Sequence, residues 1–171
     1  MVDYVHLNNA PIIEAVFDLK IDRKEPITDQ MLGALKEELE PDFSNINEIK
    51  TVGVFHKHKE PSPPQADLEL LIGYKLKDPE KKTVLQIRKD GFTYSKLKPY
   101  SRWDDVFTET QNYWDKYITA CTPDFVTRSA IRYINHFIIP GSSSLLKEYL
   151  KSPPVIPTGV SQNINKFITQ V

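Results

Sequence analysis

Residues 85–139 read LQIRKDGFTYSKLKPYSRWDDVFTETQNYWDKYITACTPDFVTRSAIRYINHFII, and this stretch decides the fold. Two short runs that alternate between apolar and polar residues are joined by Asp90 and Gly91. An Asp-Gly pair between such runs is typical of a β-hairpin with a type I′ turn, because both central residues of that turn need positive φ. The stretch therefore predicts a hairpin whose turn is centred on Asp90 and Gly91.

The same stretch continues with an amphipathic helix and a long strand. Between Ser101 and Pro123 the apolar residues recur three and four positions apart, which predicts a helix that is capped by Ser101 and packs on the sheet. Residues 124–139 predict a strand that carries Arg128 and Arg132 on one face. Both faces of that strand mix apolar and polar residues. We therefore expect a bulge midway along the strand that switches which residues point to each face.

Further elements follow from periodicity on both sides of this stretch. Period-two alternation predicts strands at residues 12–21, 48–59 and 66–77. A helix capped by Thr28 and ended by Pro41 lies between the first two, and a short helix is expected after residues 142–144. Proline-rich segments form connections rather than domain boundaries.

The resulting order, β-α-β-β-β-β-α-β, predicts an α+β protein in which a curved antiparallel sheet carries its helices on one face. This order resembles one half of a helix-on-sheet fold of the TATA-binding-protein type, and the second half would begin after Thr122. Residues 164–171 alternate like the beginning of another strand. We therefore expect a single α+β domain over residues 1–171 that is incomplete at its C-terminus.

Composition narrows the class of protein. The 171 residues include 22 basic and 23 acidic side chains, so the net charge of −1 gives no overall attraction to nucleic acid or to an anionic membrane. A single cysteine excludes an intramolecular disulfide and favours a reducing compartment. No long apolar run or signal peptide is evident, so we expect a cytoplasmic protein without membrane contact.

Charged residues of alternating sign fall on the predicted strands, and they are the candidate site. In a loose resemblance to triphosphate-tunnel enzymes, acids on such a face would hold metal and bases would hold phosphate, but residues 14–16 break the acid-x-acid spacing of that family. A solvated sheet face with no catalytic role is the simpler interpretation. The candidate cluster comprises Glu14, Asp18, Lys20, Arg88, Arg128 and Arg132.

Other chemistry-bearing residues are weaker candidates. His56 and His58 share a strand face, but too few further ligands accompany them to predict a metal site. Cys121 falls on the apolar stripe of its helix and is expected to be packed rather than reactive. No phosphate-binding glycine loop or nucleophile motif is present, so neither a cofactor nor a metal is predicted, and catalytic residues stay unassigned.

Four motifs carry a family resemblance: PIIEAV at residues 11–16, DGF at 90–92, PYSRW at 99–103 and RYIN at 132–135. They resemble a sporadically distributed family of bacterial and archaeal proteins without an assigned function. The resemblance implies no activity and no catalytic residues. A patchy distribution would fit an accessory gene of a mobile or defence locus. Within these motifs we expect Glu14 to face Arg132 as a buried or half-buried ion pair.

Two functions from different classes remain open. The first is a binding or regulatory module that contacts a protein partner, or a second copy of itself, through its sheet face or an exposed edge strand. The alternative is a phosphate- or nucleotide-handling enzyme that uses the charged cluster. Nucleic-acid binding ranks below both, and whether the chain catalyses any reaction is undecided by its sequence. Convergence of the cluster on one concave pocket would favour the enzyme, and ion pairing across the sheet would not.

Overall fold

A computed structural model describes residues 10–53, 68–138, 146–153 and 159 of the chain. Within them the predicted order of strands and helices is confirmed, and the class is α+β. The elements are β1 (Ile12–Asp22), α1 (Asp29–Leu39), β2 (Asn45–Gly53), β3 (Leu68–Asp78), β4 (Thr83–Arg88), β5 (Gly91–Leu97), α2 (Trp103–Cys121), β6 (Phe125–Asn135) and α3 (Leu146–Tyr149).

The strands form one six-stranded antiparallel sheet in the order β2-β3-β4-β5-β1-β6. The sheet is open, and β2 and β6 are its edges among the described residues. The first described strand, β1, lies between β5 and β6 and so joins the central hairpin to β6. A bulge was predicted midway along β6, but the pairing with β1 shifts near the two ends of the strand, between Lys20 and Ile21 and between Ile12 and Glu14.

The hairpin between β4 and β5 differs from the predicted turn. Arg88 pairs with Gly91, so Lys89 and Asp90 are the central residues, and neither has a positive φ. Gly91 instead enters the ladder, where a Cβ atom would lie 2.1 Å from the carbonyl oxygen of Leu19. The prediction of a type I′ turn centred on Asp90 and Gly91 was wrong because this glycine serves the close approach of β1 rather than the turn.

Both long helices pack on one face of the sheet, as predicted, and bury the core. Thr28 caps α1 by accepting a hydrogen bond from the amide of Met31. The predicted cap of α2 was wrong, because Arg102 occupies that position without a side-chain bond. The fully buried core side chains are Leu32, Leu35, Leu39, Leu76, Leu85, Ile87, Phe92, Tyr94, Val106, Tyr117 and Cys121.

The chain divides into two compact units, Met1–His136 and Phe137–Val171. The first holds the sheet with α1 and α2, and the described part of the second contains α3. Among the described helices, none has both the length and the apolar character needed to cross a bilayer. Several predictions lie outside the described residues: the end of β2 beyond residue 53, His56 and His58, the proline-rich loop at 60–65 and the terminal strand at 164–171.

Candidate functional site

The six predicted site residues all lie on the face of the sheet opposite the helices, which we call the open face. Strand pairing places Asp18 opposite Thr93 on β5 and opposite Ala130 on β6, and directly paired residues in a sheet point to the same side. Lys20 pairs with Arg128 in the same register. The structure thus places all six residues on one face, but contacts connect only four of them, directly or through Asp90. The connected residues are Asp18, Lys20, Arg88 and Arg128, whereas Glu14 and Arg132 make no side-chain contact with them.

Asp18 is the centre of this cluster. Its carboxylate accepts a hydrogen bond from the Thr93 hydroxyl at 2.6 Å, and the same hydroxyl accepts one from Arg88 at 2.7 Å. The guanidinium of Arg88 lies 3.4 Å from one oxygen of the carboxylate, and the guanidinium of Arg128 donates to the other. Three strands therefore contribute side chains to one carboxylate.

Asp18 is only 5% exposed, so the prediction that it lies on an exposed face was wrong. A buried carboxylate would be costly without partners, and here both oxygens are bound. Burial raises the pKa of Asp18, but the hydrogen bonds from Thr93 and Arg128 and the charges of Arg88 and Arg128 outweigh it. The net effect is a pKa below the ordinary aspartate value, so the carboxylate is ionised at neutral pH.

The other residues of the cluster make fewer or longer contacts than Asp18 does. Lys20 and Arg88 both reach Asp90 in the hairpin turn, at 3.8 Å and 3.2 Å, which extends the network to the end of β4. The predicted pair between Glu14 and Arg132 was wrong, because Arg132 lies opposite Val16 and Glu14 lies opposite Ile134. Arg132 is exposed, and it forms no ion pair with any other described residue.

Two members of the network, Thr93 and Asp90, were not predicted as site residues. The alternation in β5 puts Thr93 on the polar side of its strand. Only the register between β5 and β1, however, places Thr93 directly opposite Asp18. Asp90 was assigned to the turn alone. Knowledge of the strand order would have identified Thr93, because β5 separates Arg88 from Asp18 in the sheet.

The network does not surround a described cavity. A shallow cavity formed by described residues lies at the end of β1, and none of the six predicted residues lines it. Within the described ranges, no three His, Cys, Asp or Glu side chains converge as metal ligands. Asp18, Arg88 and Arg128 thus form ion pairs across the sheet.

The second feature of this region is the outer edge of β6, which pairs with no strand among the described residues and which we call the free edge. Lys98 donates to Ile13 and Ile21 donates to Asp90, so the odd-numbered residues of β1 bond to the β5 side. Successive residues of a strand direct their backbone groups to opposite sides, and the even-numbered residues of β1 therefore bond to β6. Because Asp18 pairs with Ala130, the backbone groups of Ser129, Ile131 and Tyr133 point away from β1.

Large apolar side chains accompany this outward row of backbone groups. Ile131 is 49% exposed and Tyr133 is 42% exposed, both on the helix side of β6. Tyr133 packs edge-on against Tyr100, with ring centroids 5.6 Å apart, and lies 6.4 Å from Trp103 at the beginning of α2. The outward side of β6 thus presents backbone donors and acceptors beside an apolar, aromatic surface.

The opposite edge of the sheet has a different character. On β2, Lys50 pairs with Glu48 at 3.0 Å and with Glu69 of β3 at 3.2 Å. Charges of both signs along an edge discourage pairing with another strand. The edge strand β6 carries Arg128 and Arg132 but no acidic residue, so the charge along this edge has one sign.

The chain matches no protein-family model, no curated protein and no solved structure. The resemblance drawn from the four motifs therefore stays a prediction.

Proposed function

We propose that this chain is a protein-binding module that adds an extended segment of a partner to the free edge of β6. The observation that carries the proposal is the outward row of backbone groups at Ser129, Ile131 and Tyr133, which have no strand partner among the described residues. Main-chain hydrogen bonds supply much of the affinity in such strand addition, and neighbouring side chains supply specificity.

Two further observations support binding over catalysis. The alternative, a phosphate- or nucleotide-handling enzyme, needs a concave site for its substrate, whereas Asp18, Arg88 and Arg128 pair across the sheet and line no cavity formed by the described residues. Exposed Ile131 and Tyr133 lie beside the edge, where a partner strand would cover them. A single cysteine and balanced charge suit a cytoplasmic setting for this module.

The test uses two proline variants that differ by one position. Proline lacks a backbone donor, so Ser129→Pro removes an outward N–H group, whereas Ala130→Pro removes a bond to β1. A library of random peptides displayed on phage is selected on the full chain and counter-selected on Ser129→Pro. We expect enriched peptides that bind the wild type and bind Ser129→Pro at least tenfold more weakly.

Ala130→Pro is the control for damage to the fold, because it removes a hydrogen bond to β1. Of the two variants, only Ala130→Pro should unfold at a clearly lower temperature than the wild type. The proposal fails if the selected peptides bind Ser129→Pro as tightly as the wild type while that variant keeps its melting temperature. It also fails if repeated selection enriches no peptide.

A further inference from the structure

The side chains beside the β6 edge carry charge of one sign. Arg128 and Arg132 lie on the open face of β6, four residues apart, and the strand has no aspartate or glutamate. Arg128 binds Asp18 yet keeps 56% of its side chain exposed, and Arg132 has no ion-pair partner among the described residues. A strand added to this edge therefore meets two exposed guanidinium groups on one face.

A second copy of this chain fits the edge poorly. In a two-fold antiparallel pairing of β6 with itself, each strand would contribute Arg128 and Arg132 to the same face. The four guanidinium groups would meet with no acid on either strand to offset them. Like charges placed across a ladder destabilise pairing, so charge argues against homodimerisation through this edge.

The other face of an added strand meets apolar groups. Cross-strand neighbours on the helix side would be Ile131 and Tyr133, next to the aromatic rings of Tyr100 and Trp103. Because the side chains of a strand alternate between faces, one partner segment can satisfy both surfaces at once. It needs carboxylates toward the arginines and apolar side chains toward the aromatic side.

Resting on the proposed function, we infer that the partner of β6 is an acidic, extended peptide segment with alternating character. In antiparallel register, an acid opposite Arg132 is flanked by apolar residues opposite Tyr133 and Ile131. A second acid follows three positions after the second apolar residue, opposite Arg128. The pattern is apolar–acid–apolar–x–x–acid, where x is any small residue, because Ala130 and Ser129 lie opposite those positions.

Nucleic acid is negatively charged, as an acidic peptide is, but it cannot pair with β6 as a β-strand. It offers phosphates to Arg128 and Arg132 but no strand to bond with the outward backbone groups of Ser129 and Ile131. The net charge of −1 for the chain also provides little of the basic surface that phosphate binding requires. The observations therefore favour an acidic peptide.

The experiment measures, by fluorescence anisotropy, how tightly three peptides without terminal charges bind to the full chain. The peptides are TVEVATEVT, TVQVATQVT and TVKVATKVT. Two cross-strand ion pairs predict that the glutamate peptide binds about tenfold more tightly than the glutamine peptide, and that the lysine peptide binds most weakly. In Arg132→Glu each charged peptide meets one attractive and one repulsive partner, so the difference between the glutamate and lysine peptides should largely disappear. Raising the salt concentration should weaken only the binding of the glutamate peptide to the wild type.

The outcomes separate this inference from the proposed function. Equal affinity for all three peptides, each lost in Ser129→Pro, would overturn the acidic preference and leave strand addition standing. Peptide binding that Ser129→Pro does not weaken would overturn both. A ten-nucleotide oligo-dT that outcompetes the glutamate peptide, and whose binding depends on Arg132 but not on Ser129, would show a phosphate surface and overturn the inference.

Discussion

The Thr93 hydroxyl donates a hydrogen bond of 2.6 Å to the carboxylate of Asp18, directly across the ladder between β5 and β1. The same hydroxyl accepts from Arg88 at 2.7 Å and so connects β4 to β1 across the intervening strand. This relationship turns a row of charged residues, which the sequence presents as a solvated face, into a network centred on a buried carboxylate. The network stabilises the sheet around β1. It also fixes the guanidinium of Arg128, on the edge strand β6, beside Asp18.

Asp18→Asn should destabilise the protein. The variant keeps the size of the side chain but removes the charge that Arg88 and Arg128 share. Breaking a buried ion pair costs about 3–5 kcal/mol, and the exposure of Arg128 to water should reduce the cost here to about 2–3 kcal/mol. Urea unfolding at neutral pH measures it. Glu14→Gln, on the same strand, is the control and should change the free energy of unfolding by less than about 0.5 kcal/mol.

The stability that Asp18 contributes should depend on pH. Its pKa is lowered in the folded state, so the unfolded chain binds a proton at Asp18 more readily than the folded chain does. The contribution is complete above the unfolded aspartate pKa of about 3.9 and is lost as the pH falls through the lower folded value. The difference in unfolding free energy between wild type and Asp18→Asn should therefore shrink between pH 5 and the acid limit. A difference that stays constant with pH would refute this role for the carboxylate.

Two glycine substitutions should have opposite effects. At Gly91, with φ of +157°, an added Cβ meets the Leu19 carbonyl oxygen at 2.1 Å, so Gly91→Ala should cost about 2–4 kcal/mol. Gly33 lies within α1 with nothing inside 4 Å, so Gly33→Ala should stabilise by about 0.5–1 kcal/mol. Thermal unfolding of both variants compares them directly. Similar melting temperatures for the two would contradict the close approach of β1 to the hairpin.

Cys121 should be unreactive in the folded chain. Its thiol is fully buried, and burial raises its pKa to about 11, so little thiolate forms at neutral pH. Alkylation by iodoacetamide, followed by mass spectrometry, should proceed in urea at the rate of a free thiol and be at least a hundredfold slower without urea. Rapid labelling of the native protein would show that α2 opens easily.

The sequence predicted the class of fold because its signals are local. Alternation in β4, with Leu85 and Ile87 buried, and the helical spacing that buries Val106 and Tyr117 in α2 depend only on neighbouring residues. Turn geometry was less accessible, because the conformation of Gly91 is set by β1, a strand far away in the chain.

The candidate site was predicted only in part. All six charged residues do lie on the open face, because alternate residues of a strand point to the same side of the sheet. Their pairing depends on register, which sequence alone leaves undetermined. A shift of two residues separates the predicted partner of Arg132, Glu14, from the observed neighbour, Val16. The burial of Asp18 could not be foreseen either, because it depends on side chains from three other strands.

Amide hydrogen exchange of β6, followed residue by residue by NMR, tests the central claim most directly. In the free chain, the amides of Ser129, Ile131 and Tyr133 should exchange quickly, while those of Ala130 and Arg132, which bond to β1, should be protected. Adding a peptide that binds the edge should slow exchange at the three outward amides. Slow exchange at all five amides in the free chain would mean that the edge is already paired, and it would contradict the proposal that β6 accepts a partner strand.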